Sequence, residues 1–299
     1  MKHIFIVNPT AGKRSVADDI KQELEKIGNL DWQLYVAPSA EAATTYVKQQ
    51  CEAFPDEKLR FYACGGDGSI CSTLKGVYGH DNASMTCYPV GSGNDYVRYY
   101  GGRDRFLDLP ALLNAEEREI DLMSVNGALC INAFDVGFDA HVCDVMIRVR
   151  RKPIIGGNNA YYTGIVKALI GGMKTECEFY ADGQRLDKGQ ILLATVANGS
   201  YVGGGFCCAP RSKNDDGLLE VCMVHPISRL NFLRLVGAYK KGKHLDDPRF
   251  TKYLEYRQAK CVEVKAKRPL PFVIDGDMIE TDYVKVEIMP HALRFAVPK

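Results

Sequence analysis

The sequence carries almost no net charge. Thirty-eight Lys and Arg stand against thirty-seven Asp and Glu, a formal +1 over 299 residues. No global field draws such a chain to nucleic acid or a membrane, so nucleic acid is not expected as a partner and any electrostatic attraction must be local. Long apolar runs are missing as well. The longest, such as Ile4 to Val7 and Ile191 to Ala197, fall far short of the roughly 18 residues a spanning helix needs. Ahead of the first strand-like segment there is no basic stretch, apolar core and small-residue cleavage site, so no secretory signal is expected and a cytoplasmic location is. Cys-x-x-Cys pairs are also absent. The eleven Cys are spread along the chain, odd in number, and several fall in strand-like or helix-like runs, which points to reduced thiols and not to a disulfide scaffold or zinc. The six His have neither short metal-ligand spacing nor a Ser or Cys partner motif, and no internal repeat or low-complexity tract occurs.

What remains is an ordinary core-forming composition, 46% apolar and 25% charged, in a chain long enough for two domains. The first third alternates short apolar runs with helical periodicity. Strands are expected at Ile4 to Val7, Trp32 to Val36, Leu59 to Cys64 and Met85 to Tyr88, with helices around Val16 to Ile27, Ala40 to Ala53 and Ser69 to Val77. That order predicts a parallel sheet covered by helices. From about Arg118 the chain becomes β-rich with Gly turns: Arg118 to Val125, Ala128 to Phe134, Cys177 to Ala181, Gln190 to Ala197, Leu218 to Val224, Cys261 to Ala266, Phe272 to Ile274, Tyr283 to Ile288 and Ala292 to Val297. Helical stretches around Ala140 to Val149, Ala160 to Met173 and Arg229 to Tyr239 interrupt it. The expected fold class is therefore an α/β N-terminal domain over residues 1–125 and a β-sandwich domain over 126–289, with the strand near 290–299 able to return to the first domain.

Three Gly-rich turns each follow an expected strand, and in a parallel sheet such turns collect at the carboxyl edge where ligands bind. They are Asn8-Pro9-Thr10-Ala11-Gly12, followed by Lys13 and Arg14; Gly65-Gly66-Asp67-Gly68-Ser69; and Pro89-Val90-Gly91-Ser92-Gly93-Asn94-Asp95. Glycine lets backbone N–H groups approach phosphate oxygens, and the following helix N-terminus offers donors and a favourable dipole. Neither standard nucleotide fingerprint fits. Val7 stands where a Walker loop needs its first Gly and Arg14 where it needs Ser or Thr, and the third glycine of a dinucleotide turn is missing after Gly91-Ser92-Gly93.

In these motifs the sequence resembles the diacylglycerol kinase catalytic-domain superfamily, most closely its soluble bacterial lipid kinases, and the match runs nearly end to end. Asn8 to Gly12, Gly65 to Ser69 and Gly91 to Asp95 resemble the family's Asn-Pro-x-x-Gly, Gly-Gly-Asp-Gly-Thr and Gly-Thr-x-Asn-Asp. Asn132 to Asp139, Tyr162-Thr163-Gly164, the stretch from Asn198-Gly199 through Gly203-Gly204-Gly205 and Ala209-Pro210 to Asp216-Gly217-Leu218-Leu219, and Asp275-Gly276-Asp277 look like further family segments. The resemblance implies an ATP-binding domain, a β-sandwich domain and an active site in a cleft between them. It implies a nucleotide site lined by Asn8, Pro9, Thr10, Ala11, Gly12, Gly65, Gly66, Asp67, Gly68, Ser69, Ser92, Asn94 and Asp277. Departures are Ser69 and Ser92 for the usual Thr, Asp277 for Glu, and Ala37 where many relatives offer Thr.

Phosphoryl transfer requires metal charge, in-line positioning and a base for the attacking hydroxyl. The resemblance makes Asp275 the general base, with Asp67 as its rival; on composition alone Asp275-Gly276 reads as a hairpin turn. It implies a structural Mg2+ held by Asp216 with carbonyls of Lys213 and Leu218, and a second Mg2+ arriving with ATP. The expected activity is ATP-dependent phosphorylation of a hydroxyl on diacylglycerol or a related lipid. The alternatives are an NAD-kinase-like phosphotransferase and a lipid- or nucleotide-binding protein without catalysis. Peripheral contact with the inner membrane face is expected through the basic runs Arg148, Arg150, Arg151, Lys152 and Lys240, Lys241, Lys243; a homodimer is also admitted.

Overall fold

The computed structural model describes residues 1–12, 16–143 and 173–299. They divide into two compact units, Met1–Asp121 with Pro290–Lys299, and Leu122–Met289.

The first unit is built from β1 (Lys2–Val7), α1 (Val16–Ile27), β2 (Trp32–Val36), α2 (Ala40–Ala53), β3 (Leu59–Gly65), α3 (Asp67–Val77) and β4 (Ala83–Pro89). The strands pair in parallel in the order β2-β1-β3-β4, and Phe295 near the C-terminus pairs in parallel with Met85 of β4. Every residue of β3 is buried, which is why it shows no apolar/polar alternation and, Arg60 apart, is built of apolar residues and glycine. The helices cover the sheet through one face each: Ile20 and Leu24 of α1, and Ala43, Val47 and Cys51 of α2. Ser39 caps α2 by accepting the Ala42 N–H. Helix α3 lies close on α2 at Gly76, where a Cβ would come within 2.6 Å of the Val47 Cβ and 2.8 Å of the Thr44 carbonyl oxygen. Arg60 of β3 is buried and paired: its guanidinium meets Glu117 at 2.9 Å and the Leu113 carbonyl at 3.2 Å, while Ser84 donates to the same Glu117 oxygen at 2.7 Å.

Strand β5 (Glu116–Val125) carries the chain into the second unit. There follow β6 (Ala128–Cys130), β7 (Ala133–Gly137), β8 (Glu178–Ala181), β9 (Gln184–Arg185), β10 (Leu193–Ala197), β11 (Tyr201–Val202), β12 (Phe206–Cys207), β13 (Leu219–Val224), a helix at Arg229–Lys240, β14 (Leu254–Ala259), β15 (Cys261–Ile274) and β16 (Asp277–Val297). Antiparallel pairing runs β14-β13-β10-β7-β15-β16, and β8 joins the first half of β15. One apolar cluster gathers Phe134, Phe179, Val262, Phe272 and Val286; another lies under the Arg229–Lys240 helix around Phe138, Phe232 and Tyr239. The expected α/β and β-rich element classes are both present.

Several boundaries differ from expectation, each for a local reason. The single strand expected at Ala128 to Phe134 is broken at Ile131 and Asn132, because the N–H groups of Ile131, Asn132 and Ala133 turn to the Asp275 carboxylate. The separate strands expected at Cys261 to Ala266 and Phe272 to Ile274 are one strand, with a register shift between Lys265 and Leu270. Tyr283 to Ile288 and Ala292 to Val297 are likewise one strand. His291 within it has a positive φ of 51°, and its N–H is taken by the buried Asp121 carboxylate at 2.8 Å. Helix α3 starts at Asp67, two residues ahead of the expected Ser69, which sets an acidic side chain in its first turn. The expected helix at Ala140 to Val149 is described only to Cys143, and Lys13, Arg14, the basic run Arg148 to Lys152 and the Tyr162 to Gly164 segment lie outside the described residues.

Candidate active site

In the first unit the three Gly-rich turns leave the carboxyl ends of β1, β3 and β4, which adjoin in the sheet. They are bound to one another as well. Val90 and Gly91 both donate their N–H to the Gly65 carbonyl, at 2.9 and 3.1 Å, so the third turn hangs on the second. Gly66 and Gly91 touch backbone to backbone: a Cβ on Gly91 would fall on the Gly66 Cα and lie 2.9 Å from its nitrogen and 3.0 Å from Asn94 Oδ1. Only a residue without Cβ fits there. A Cβ on Gly65 would likewise strike the Ser69 hydroxyl. Asn8 reaches Ser69 Oγ through its Nδ2 at 3.5 Å, and its Oδ1 accepts from the Thr10 N–H at 3.0 Å and the Thr10 hydroxyl at 2.8 Å, closing the first turn on itself.

Asp67 works as a strap. Its Oδ2 accepts the Asp95 N–H at 3.1 Å and its Oδ1 the Tyr96 N–H at 3.2 Å, tying the second turn to the residues after the third. Asn94 sits in left-handed backbone with φ 52°, donates from Nδ2 to the Gly91 carbonyl at 2.7 Å, and keeps a buried Oδ1 with no partner among the described residues. Helix α3 has Gly66 as its N-cap, with no side chain capping its first turn, and the Cβ position of Gly68 has no atom of the described residues within 4 Å. An uncapped N-terminus beside open space suits a phosphate chain, and an unpartnered buried carbonyl oxygen suits a hydroxyl or a metal-held water. Thus Asn8, Gly65, Gly66, Asp67, Ser69 and Asn94 are brought together. Pro9, Thr10, Gly12 and Ser92 are exposed at the rims of their turns.

Asp275 belongs to the second unit, at the turn between β15 and β16, with φ 49°. Its carboxylate is held by four donors: Ile131 N–H at 2.7 Å on Oδ2, and Asn132 N–H at 2.9 Å, Ala133 N–H at 3.0 Å and the Cys130 thiol at 3.2 Å on Oδ1. In return Asp275 N–H donates to the Ala133 carbonyl at 3.0 Å. Burial pushes its pKa above the ordinary carboxylate value, with these hydrogen bonds acting the other way. The clasp extends outward. Asn198 Nδ2 donates to the Ile131 carbonyl at 3.1 Å, and Asn132 Nδ2 to the Tyr201 carbonyl at 2.9 Å. A Cβ on Gly199 would collide with Asn132 Oδ1, which explains the glycine after Asn198. Asp277 is exposed and opens β16, paired in register with Ile274.

Asp216 lies exposed in the turn before β13, where its Oδ1 accepts the Leu218 N–H at 3.1 Å and its Oδ2 takes Gln258 Nε2 at 3.4 Å. Gln258 also donates to the buried Glu220 at 2.9 Å. Among the described residues no group of three or more His, Cys, Asp or Glu is placed to hold a metal. A cation site here is left with one carboxylate and backbone carbonyls, of which Lys213 and Leu218 are the expected pair, a donor set suited to a hard ion that keeps its waters.

The roles of three residues, Gly91, Cys130 and Ile131, are not legible in the sequence. Gly91 was visible in its turn, but its packing on Gly66 is a contact between residues 25 apart that no spacing encodes. Cys130 and Ile131 precede the Asn132 motif, and nothing in their own types marks them as donors to Asp275.

Comparison with known proteins agrees with this arrangement. Residues 2–125 match the diacylglycerol kinase catalytic domain, and residues 132–297 match the YegS C-terminal NAD kinase beta sandwich-like domain. The chain is 28% identical over 281 residues to a diacylglycerol kinase of Bacillus subtilis, covering 91% of this chain and 88% of that protein. It is 28% identical over 298 residues to the Pseudomonas fluorescens protein named "Probable lipid kinase YegS-like", covering 96% and 93%. Among solved structures, a diacylglycerol kinase from Bacillus anthracis shares the fold with a TM-score of 0.73 at 19% identity, over 99% of this chain and 96% of that one. An NAD kinase from Archaeoglobus fulgidus, solved with ATP, shares it at a TM-score of 0.52 and 15% identity over 100% and 94%. An α/β catalytic domain with three interlocked Gly turns, followed by a sandwich-like domain matched over more than half of the chain, places this protein in the diacylglycerol kinase and YegS-type lipid kinase family.

Proposed function

We propose that the protein transfers the terminal phosphoryl group of ATP to a hydroxyl of diacylglycerol or a closely related lipid, with Mg2+ supplying charge neutralisation. The observation that carries the reading is the interlocked set of turns around Gly66 and Gly91, which opens an uncapped helix N-terminus onto free space at Gly68. Gly12, Gly66 and Gly68 hold the phosphates through backbone N–H groups and Ser69 through its hydroxyl, Asn8 and Thr10 shape the first turn around them, Ser92 contributes from the rim, and Asn94 accepts from a hydroxyl or metal-held water. Asp216, with carbonyls of Lys213 and Leu218, holds a structural Mg2+.

Asp275 is the general base in this proposal. Burial raises its basicity and three backbone N–H groups fix its orientation, the two properties a carboxylate base needs. Asp67, whose carboxylate straps the second turn to the residues after the third, is assigned to positioning. Membrane contact is peripheral and at the inner face.

The likeness in fold to an NAD kinase keeps one second reading in view, a phosphotransferase acting on NAD. Incubating purified protein with labelled ATP, with and without Mg2+, against diacylglycerol, other lipid alcohols and NAD separates the two. Labelled phosphatidic acid formed only with Mg2+ is the expected result. Label in NAD alone overturns the lipid reading, and ATP binding without transfer to any acceptor overturns catalysis.

A further inference from the structure

The Arg229–Lys240 helix has two unlike faces. Its inner face packs into the second unit through Phe232, Leu235 and Tyr239, with the Phe232 ring 4.8 Å from that of Phe138. Its outer face carries Leu230 and Leu233, 58% and 61% exposed. Three residues apart, the two leucines are neighbours on the helix surface, and the water-facing side of a surface helix ordinarily has polar residues there. Among the described residues the other large exposed apolar residues, Ile27, Val36, Tyr78, Met278 and Tyr283 among them, lie outside this helix, with only Met278 and Tyr283 sharing an element, β16.

Along the helix itself the charge beside this pair is of one sign. Arg229, Arg234, Lys240 and Lys241 are all exposed, and the helix contains no Asp or Glu. Lys240 reaches sideways, its Nζ 5.0 Å from the Phe206 ring, so it marks the edge of the face. Gly237 continues the face by one turn, with no atom of the described residues within 4 Å of its Cβ position.

We infer that the face formed by Leu230, Leu233, Arg234 and Lys241 docks this unit on an anionic lipid bilayer. The leucines enter the headgroup region and the cations pair with lipid phosphates, the division of labour of an interfacial amphipathic helix. The near-zero net charge of the chain makes a local cationic patch the means by which an anionic surface is sensed. A second copy of the chain is the less suitable occupant, because an isologous contact would set Arg234 and Lys241 of each copy against the same cations of the other. The docking deepens the lipid-kinase proposal, on which it rests for its purpose: it brings the enzyme to a substrate dissolved in the membrane.

The test is sedimentation of the full chain with phosphatidylcholine vesicles, with and without phosphatidylglycerol. Leu230→Gln with Leu233→Gln is expected to lower the partition onto mixed vesicles at least about tenfold. Arg234→Ala with Lys241→Ala is expected to lower it by about the same factor in low salt and to remove its salt dependence. Val36→Gln, an equally simple change at another exposed apolar residue, should sediment as the native chain does. Thermal melts confirm folding of each variant, and phosphorylation of short-chain dispersed diacylglycerol should equal native in all of them. Native-like sedimentation of both double variants overturns the docking face. Loss by the leucine variant of a concentration-dependent dimer, with vesicle binding unchanged, also overturns it and assigns the face to self-association. Vesicle binding that depends on Leu230 and Leu233 in a protein that phosphorylates no lipid leaves the docking intact and sinks the kinase reading instead.

Discussion

Alanine at Gly91 and at Gly68 should separate two kinds of glycine in the nucleotide turns. A Cβ on Gly91 would land on the Gly66 Cα and 2.9 Å from its nitrogen. Nonbonded carbons settle at about 3.5–4.0 Å, so one turn must retreat by roughly 1 Å. A displacement of that size at a phosphate-positioning element costs about 10² in rate, or ~2.7 kcal/mol of transition-state stabilisation. The same overpacking should cost about 1–3 kcal/mol of stability, which in a protein this large lowers Tm by roughly 2–10 °C. Gly68 behaves differently, because its Cβ meets nothing within 4 Å and it lies in the first turn of α3. Alanine there should leave Tm unchanged or raise it, reflecting up to ~1 kcal/mol of recovered backbone entropy. Its KM for ATP should nevertheless rise, since the space that Cβ enters is the space proposed for phosphate. Tm by calorimetry and kcat/KM from varied ATP give both readouts for each variant. Native kcat/KM in Gly91→Ala would refute the interlocking argument. Native KM for ATP in Gly68→Ala would refute the placement of phosphate at the α3 N-terminus.

Asp275→Asn should lower turnover by at least ~10² with ATP affinity retained. Because burial raises the Asp275 pKa, the base form is lost as pH falls through a value above the ordinary carboxylate range; the acidic limb of the native kcat/KM profile should lie there, and an unshifted limb would remove Asp275 from the role. Arg60→Ala removes a buried guanidinium with its bonds to Glu117 and the Leu113 carbonyl while Glu117 keeps access to water, and should cost about 1–2 kcal/mol in urea unfolding; a change below ~0.5 kcal/mol would show that water replaces the pair entirely. His3 and His244 are both lowered to about 4, chiefly by burial, so the unfolded chain takes up protons near 6.5 while the folded chain does not. Stability present above pH 6.5 should therefore be lost as pH falls from 6.5 toward 4, by at most ~3 kcal/mol for each histidine. Urea midpoints that are flat over that window would contradict their burial as neutral rings.

The first unit was largely legible in order and kind. A strand buried on both faces, such as β3, is apolar at all but a paired position such as Arg60, and helices such as α2 must repeat apolar residues every turn, so apolar runs and periodicity locate them. The three Gly turns were legible for a similar reason, since a sharp strand-to-helix turn restricts residue type locally. Local rules said nothing of how those turns meet. Which glycine is required by contact, as Gly91 is by Gly66, depends on two segments that only the sheet order β1-β3-β4 makes neighbours. The same holds for Asp275. Its own dipeptide reads as a hairpin turn, while its orientation comes from N–H groups of Ile131, Asn132 and Ala133, more than 140 residues away. Those bonds also break the strand that sequence extends without interruption from Ala128 to Phe134. Local pattern is written by each residue's relation to water and to its own backbone, and sequence by itself determined that much here. The hydrogen-bonding partners of a buried carboxylate and the clearance around a glycine are set by distant chain packed against them, and only the tertiary structure decided those.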